Sequence, residues 1–175
     1  MFSGKSTELI RRIRLYRQTP AKSILVVSHT ADARYERSEV HVVTHDQDKE
    51  LAFKTSSLLP LCTRPDYPTI DILFIDEGQF FDDIVAFVKK AVDVDHKHVV
   101  VSALDGDFNR RPFENISNLI AMADTYTKLT ALCPLCGDGT PAIFSKLKHS
   151  PSAPPPQVLV GGEESYVSVC RKHYV

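Results

Sequence analysis

Ile72-Leu-Phe-Ile-Asp-Glu-Gly-Gln-Phe-Phe81 is an apolar run that stops at two adjacent carboxylates, Asp76 and Glu77. Four large apolar residues without polar alternation describe a strand covered on both faces, as in the middle of a parallel sheet. Such sheets carry their ligand sites just beyond the carboxyl ends of their strands. Successive strand residues point to opposite faces, so Asp76 and Glu77 are expected to diverge, one able to serve a metal ion and the other a substrate hydroxyl. A plain polar exit from strand to loop explains residues 76–78 equally well. The rest of the chain decides between the two.

Working outward, Ile24 to Val27 reads as a second buried strand and Val99 to Val101 as a third. Between them Ile84, Val85, Val88, Ala91 and Val92 mark an amphipathic helix, with Asp82 and Asp83 suited to its positive amino end. Strand and helix alternate as in a doubly wound parallel sheet. Residues 29 to 48 read as a long polar loop, and 50 to 62 are ambiguous between helix and strand, with Cys62 a buried small hydrophobe. A helix is expected around Ile116 to Ala123, and Lys128 to Leu132 as a last strand.

The chain opens on Met1-Phe-Ser-Gly-Lys-Ser-Thr7, whose Gly4-Lys5-Ser6 closes a phosphate loop of the form G-x-x-x-x-G-K-[ST]. The first glycine of that pattern and its delivering strand would precede Met1, so the expectation is a chain cut short at its start. Leu9, Ile10, Ile13 and Tyr16 then follow at helical spacing, as a phosphate-cradling loop requires. Gly-Lys-Ser alone is a weak signal. Near the other end, Cys133-x-x-Cys136 and Cys170-x-x-His173 have the knuckle spacing that directs two ligands each at one tetrahedral zinc. All four positions come from protein, so that zinc is expected to be structural. The proline-rich stretch 150–156 between the knuckles reads as an extended loop tip.

The 175 residues suffice for one good core, and 43% hydrophobic with 25% charged residues is an ordinary soluble composition. No apolar run approaches the ~20 residues of a membrane span, and no secretory signal is evident. A net charge of −1 gives no general attraction to nucleic acid or membrane. The arginines at 11, 12, 14 and 17 read as the solvated face of a helix. Four cysteines without a signal point to a reducing, cytoplasmic setting.

Together, the opening heptapeptide, Thr44-His-Asp46, Asp76 to Phe81, Leu104-Asp-Gly-Asp-Phe-Asn-Arg-Arg-Pro-Phe113, Lys128-Leu-Thr-Ala131 and Gly161-Gly162 closely resemble the type II, cytosolic and poxvirus-like, thymidine kinases. The resemblance implies an α/β, P-loop (RecA-like) parallel sheet flanked by helices over 1–132, and a small zinc-containing lasso domain over 133–175. It implies transfer of the ATP γ-phosphate to the 5′-hydroxyl of thymidine, with deoxyuridine a further substrate. Glu77 is then the general base, and Asp76 and Ser6 hold Mg²⁺ arriving with ATP. The nucleotide contacts are Met1, Phe2, Ser3, Gly4, Lys5, Ser6, Thr7, Asp32, Ala33, Arg34, Asp76 and Gln79. Thymidine contacts are Phe80, Leu104, Phe108, Phe113, Ser145, the lasso Gln157, Val158, Leu159, Val160 and Gly161, and Tyr166. Core packing explains either Phe108 or Phe113 taken alone. Zn²⁺ sits on Cys133, Cys136, Cys170 and His173. A homotetramer or homodimer and feedback by dTTP complete the expectation.

Two departures stand out: the incomplete phosphate loop, and Leu147 after Ser145-Lys146 where the family carries a basic residue. Two other function classes fit parts of the sequence: a zinc-ribbon ATPase driven by nucleic acid, and a non-catalytic subunit.

Overall fold

The computed structural model describes residues 1–31, 41–43, 49–148 and 164–175. The expected contacts at Asp32, Ala33, Arg34 and Gln157 to Gly161 lie outside these residues, as do 44–46, 150–156 and Gly162. The described chain divides into two compact units, a sheet unit, Lys5–Ala103, and a ribbon unit, Met1–Gly4 with Leu104–Val175.

In the sheet unit, α1 (Lys5–Arg17) precedes β1 (Ile24–His29), β2 (His41–Val43), β3 (Lys49–Leu51), β4 (Phe53–Thr55), β5 (Ile72–Asp76), α2 (Ile84–Lys89) and β6 (His98–Val101). Strands β4, β1, β5 and β6 form, in that order, one parallel sheet. The apolar run that opened the reading is β5, one of its two inner strands, buried at every residue. Ile72 and Phe74 join Val26 and Ala52 beneath Leu9, Ile10 and Ile13 of α1, while the alternate residues Leu73 and Ile75 are fully buried on the other face. Each such side chain contributes roughly 1.5–3 kcal/mol by leaving water. The outer face of α1 is paired within the chain: Glu8 accepts from Arg11 and Arg12, and Arg17 meets the buried Glu50 at 2.6 Å. The Glu8 pairs lie on the solvated face expected for these arginines, whereas Arg17 reaches a carboxylate that is itself buried.

Several expectations change here. The supposed loop 29–48 contains β2, which pairs antiparallel with β3, and the ambiguous 50–62 resolves into β3, β4 and a 3-10 turn at Leu59–Thr63. Cys62 is half-buried rather than buried. Asp83 makes no cap bond to α2. Its Oδ2 instead accepts from the Leu58 and Leu59 amides at 2.8 Å, serving the free donors that open the 3-10 turn. Helix α2 widens at Lys90–Val94 into a π turn, which rotates Val92 outward to 36% exposure while Phe87, not singled out by the periodicity, is fully buried. The valines of β6 are only half-buried, since the strand ends the sheet on that side among the described residues.

The ribbon unit holds α3 (Glu114–Ile120), β7 (Ala131–Leu132), β8 (Pro141–Ala142), β9 (Phe144–Leu147), β10 (Tyr166–Val169) and α4 (Arg171–Tyr174). β7 pairs with β8 and β9 with β10, both antiparallel. The expected last strand is thus shorter than predicted and is followed by three more, because each short ladder needs a partner. Ala131, Cys133, Ala142, Val169 and Cys170 form the small core, with Phe2, Phe144 and Tyr174 packed against it. Among the described residues no helix is long and apolar enough to cross a membrane.

Candidate functional site

At the end of β5 the backbone turns sharply. Asp76 is the last strand residue, and Glu77 follows at φ 53° and ψ 43°. The two carboxylates therefore diverge through a left-handed residue, not through strand alternation. Such a conformation costs a non-glycine residue about 1–3 kcal/mol and concentrates at functional sites. Gly78 must be glycine for a different reason: a Cβ there would lie 2.7 Å from Val101 Cγ1 and 3.0 Å from Ile84 Cδ1. Its amide donates to the Ser102 carbonyl at 3.0 Å, so the turn closes against the end of β6. A 3-10 turn, Gly78–Phe80, then brings Gln79 back, and its Nε2 donates to Glu77 Oε2 at 2.5 Å. Glu77 and Gln79 are both buried.

Asp76 is also buried. Its Oδ2 accepts from Ser6 Oγ at 3.4 Å, whereas Oδ1 has no hydrogen-bond partner, and neither has Ser102 Oγ. Burial first, and the charge of Glu77 second, push the Asp76 carboxyl up to about 6, against the lowering influence of the nearby Ser102 hydroxyl and then of Lys5. A buried carboxylate oxygen left without a donor, next to a hydroxyl, is a hard-oxygen set that suits Mg²⁺. Ser6 and Lys5 begin α1, where free amides and the helix dipole favour anions. Before them Phe2 and Gly4 both have positive φ, 58° and 75°. Open space surrounds a Cβ at Gly4, so that glycine serves the dihedral and not a close approach. Thr7 is exposed and Ser3 half-buried.

Phe80 is half-buried and lies tilted against His29, ring centroids 5.6 Å apart. In the ribbon unit, Phe108 and Phe113 are buried and Leu104 half-buried. They ride on a loop tied together by Asp107, whose carboxylate accepts from the Asn109 and Arg111 amides at 2.8 Å and from Arg111 Nε at 2.9 Å. Phe108 also meets the buried Tyr166, centroids 6.2 Å apart. Ser145 Oγ accepts from the Met1 amino group at 2.8 Å.

Cys133, Cys136, Cys170 and His173 place three thiols and an imidazole nitrogen within 4.8 Å of one another. His173 Nδ1 lies 3.4–3.5 Å from each sulfur, and Cys136 Sγ is 3.7 Å from Cys170 Sγ. These are edge lengths of a tetrahedron with zinc–sulfur bonds of about 2.3 Å, so the donor set fits zinc. For Cys133, burial is outweighed by the amide of Cys170 and the ring of His173, which bring the thiol down to about 6. Burial pushes Cys136 up to about 11. A shared cation would let both be thiolates.

Sequence reasoning missed Ser102, Asp107 and His29. Ser102 was detectable: it directly follows a valine run, and the pairing of Ile75 with Val101 sets it beside Asp76. Asp107 was quoted only as part of a loop, and nothing in the sequence signals that its side chain turns back on that loop.

The family model described as thymidine kinase matches residues 1–174. The thymidine kinase of Raccoon poxvirus is 42% identical over 175 residues, covering 100% of this chain and 92% of that protein. That of Yaba monkey tumor virus is 43% identical over 174 residues, covering 99% and 90%. The rice (Oryza sativa subsp. japonica) thymidine kinase is 38% identical over 178 residues and covers the whole chain, which spans 63% of the rice protein's length. By this match across its length, the chain belongs to the thymidine kinase family.

Proposed function

We infer that this protein transfers the γ-phosphate of ATP to the 5′-hydroxyl of thymidine, as a step of nucleotide salvage. The observation that carries the reading is the buried Glu77, held in a strained left-handed turn just past Asp76 and oriented by Gln79. Phosphoryl transfer needs positioning and charge neutralisation more than covalent chemistry. Lys5 supplies a cation to the β- and γ-phosphates, and the amides that open α1 complete the cradle. Magnesium bound with ATP supplies neutralisation of the developing phosphoryl charge, and Ser6 Oγ with the unpartnered Asp76 Oδ1 would hold it. Glu77 accepts the proton of the 5′-hydroxyl as the oxygen attacks phosphorus.

The remaining assignments belong to the same reading: Gln79, Asp32, Ala33 and Arg34 for the nucleotide, and Phe80, Leu104, Phe108, Phe113, Ser145, Gln157 to Gly161 and Tyr166 for thymidine. So do structural zinc on the cluster of three cysteines and one histidine, a functional division at residue 132, dTTP as feedback ligand, a homotetramer or homodimer, and a cytoplasmic setting.

The test is Glu77→Gln. Loss of a general base costs roughly 10²–10⁴ in rate, so kcat in a labelled-ATP transfer assay should fall by that factor while thymidine binding by calorimetry persists. Unchanged turnover would remove Glu77 from the chemistry.

A further inference from the structure

We propose that His29 is a positioning residue for Phe80, fixing the angle at which that ring meets the flat face of the nucleoside. The proposal rests on the assignment of Phe80 to thymidine made above.

Three contacts define the arrangement. His29 is the last residue of β1, one beyond Ser28, which pairs with Asp76, so the imidazole stands at the sheet edge that carries the two carboxylates. Its ring lies edge-on to Phe81 at 4.7 Å, interplanar angle 80°, and tilted against Phe80 at 5.6 Å and 49°. Phe81 is fully buried and Phe80 only half-buried. Phe81 therefore backs the imidazole, and the imidazole backs the phenylalanine that retains exposed surface. Pairs of this geometry contribute about 0.5–1.5 kcal/mol beyond simple burial, a roughly two- to twelvefold effect on a binding constant.

The third contact fixes the ring's rotation. The Ala31 amide donates to His29 Nδ1 at 2.9 Å. A nitrogen that accepts an N–H carries no proton, so the imidazole is neutral with its hydrogen on Nε2, and the Ser56 backbone takes part in a further hydrogen bond with it. Charged groups face it from each neighbouring element: Asp82 and Asp83 after the 3-10 turn favour protonation, and Lys54 on β4 opposes it. Burial, the largest influence, holds the imidazole below its ordinary pKa. Protonating Nδ1 would remove the acceptor of the Ala31 amide and release the ring's fixed orientation, and Phe80 would lose its backing.

The experiment measures KM and kcat for thymidine, with ATP saturating, between about pH 5.5 and 8, the range in which an imidazole titrates. It compares wild type, His29→Ala, His29→Phe and Phe80→Ala, each checked for equal thermal unfolding and zinc content. His29→Ala should raise KM about two- to twelvefold with kcat largely kept. The wild-type KM should rise toward the acid end, and His29→Phe, which keeps a ring but cannot titrate, should recover most of the affinity with a KM flat in pH. If Phe80→Ala raises KM while His29→Ala does not, the positioning role fails and the assignment of Phe80 stands. If Phe80→Ala leaves KM unchanged, both fail. Should His29→Ala not fold, His29→Phe decides alone: the same acid limb as wild type overturns the proposal.

Discussion

Asp76 and Glu77 share a sequence position in all but one step, yet their environments make them different chemical objects. Asp76 binds its proton more tightly in the folded chain, at about 6, than in an unfolded one, near 4. Its contribution to stability is therefore complete below about pH 4 and is lost as the pH rises through about 6. Asp76→Asn has no such dependence. In urea unfolding, wild type should lose on the order of 1–3 kcal/mol relative to Asp76→Asn between pH 4 and 7. A difference that is constant with pH would show that this carboxyl is not the source. If Asp76 holds the magnesium as proposed, the cation would offset the disadvantage, and Mg-ATP should raise the Tm of wild type more than that of the variant. At this scale the sequence revealed which residues stand at the strand end but not how they diverge. A left-handed glutamate has no signature of its own, and the packing of His29 depends on rings that adjoin only after the sheet forms.

Elements built on apolar runs were legible: β1, β5 and α1 all lie where continuous or helical periodicity put them, since burial on one or two faces writes that periodicity. Elements made by polar contacts were not. β2 is only three residues long and β3 carries Lys49 and Glu50, and the π turn after α2 is held by an Asp95 amide reaching back to Lys90 at 3.0 Å, a bond that no periodicity encodes. The loop carrying Phe108 and Phe113 belongs to the same class. Asp107→Ala would leave two amides and a guanidinium without their acceptor, each loss costing about 1–3 kcal/mol if the donor stays buried. Its Tm should fall and its thymidine KM rise, while Asp107→Asn, which keeps the Oδ1 acceptor, should lie between the variant and wild type. Calorimetry and steady-state kinetics check this. An alanine variant as stable as wild type would mean the loop is ordered by its other contacts.

For the whole chain, fold class and metal cluster were readable, because knuckle spacing and a run of strand-end motifs are ordered along the sequence. The compact units were not: the break at Ala103 and the grouping of Met1–Gly4 with the ribbon come from contacts distant in sequence. The ribbon core is small, and two of its five buried members are cysteines, so metal binding is expected to supply much of its folding energy. Elemental analysis should find one zinc per chain, and Cys136→Ser or a strong chelator should melt β7 to β10, seen as lost circular dichroism. A metal-free protein with intact spectra would refute this. The parallel order β4-β1-β5-β6 has a further consequence on the ribosome. Parallel neighbours cannot be joined by a tight hairpin, so β1 emerges with both its edges bare and waits for β4 and then β5 to be synthesised. That delay leaves an apolar ribbon exposed until β5 has been made, so slower translation of residues 30–76 should lengthen the interval in which β1 can pair wrongly.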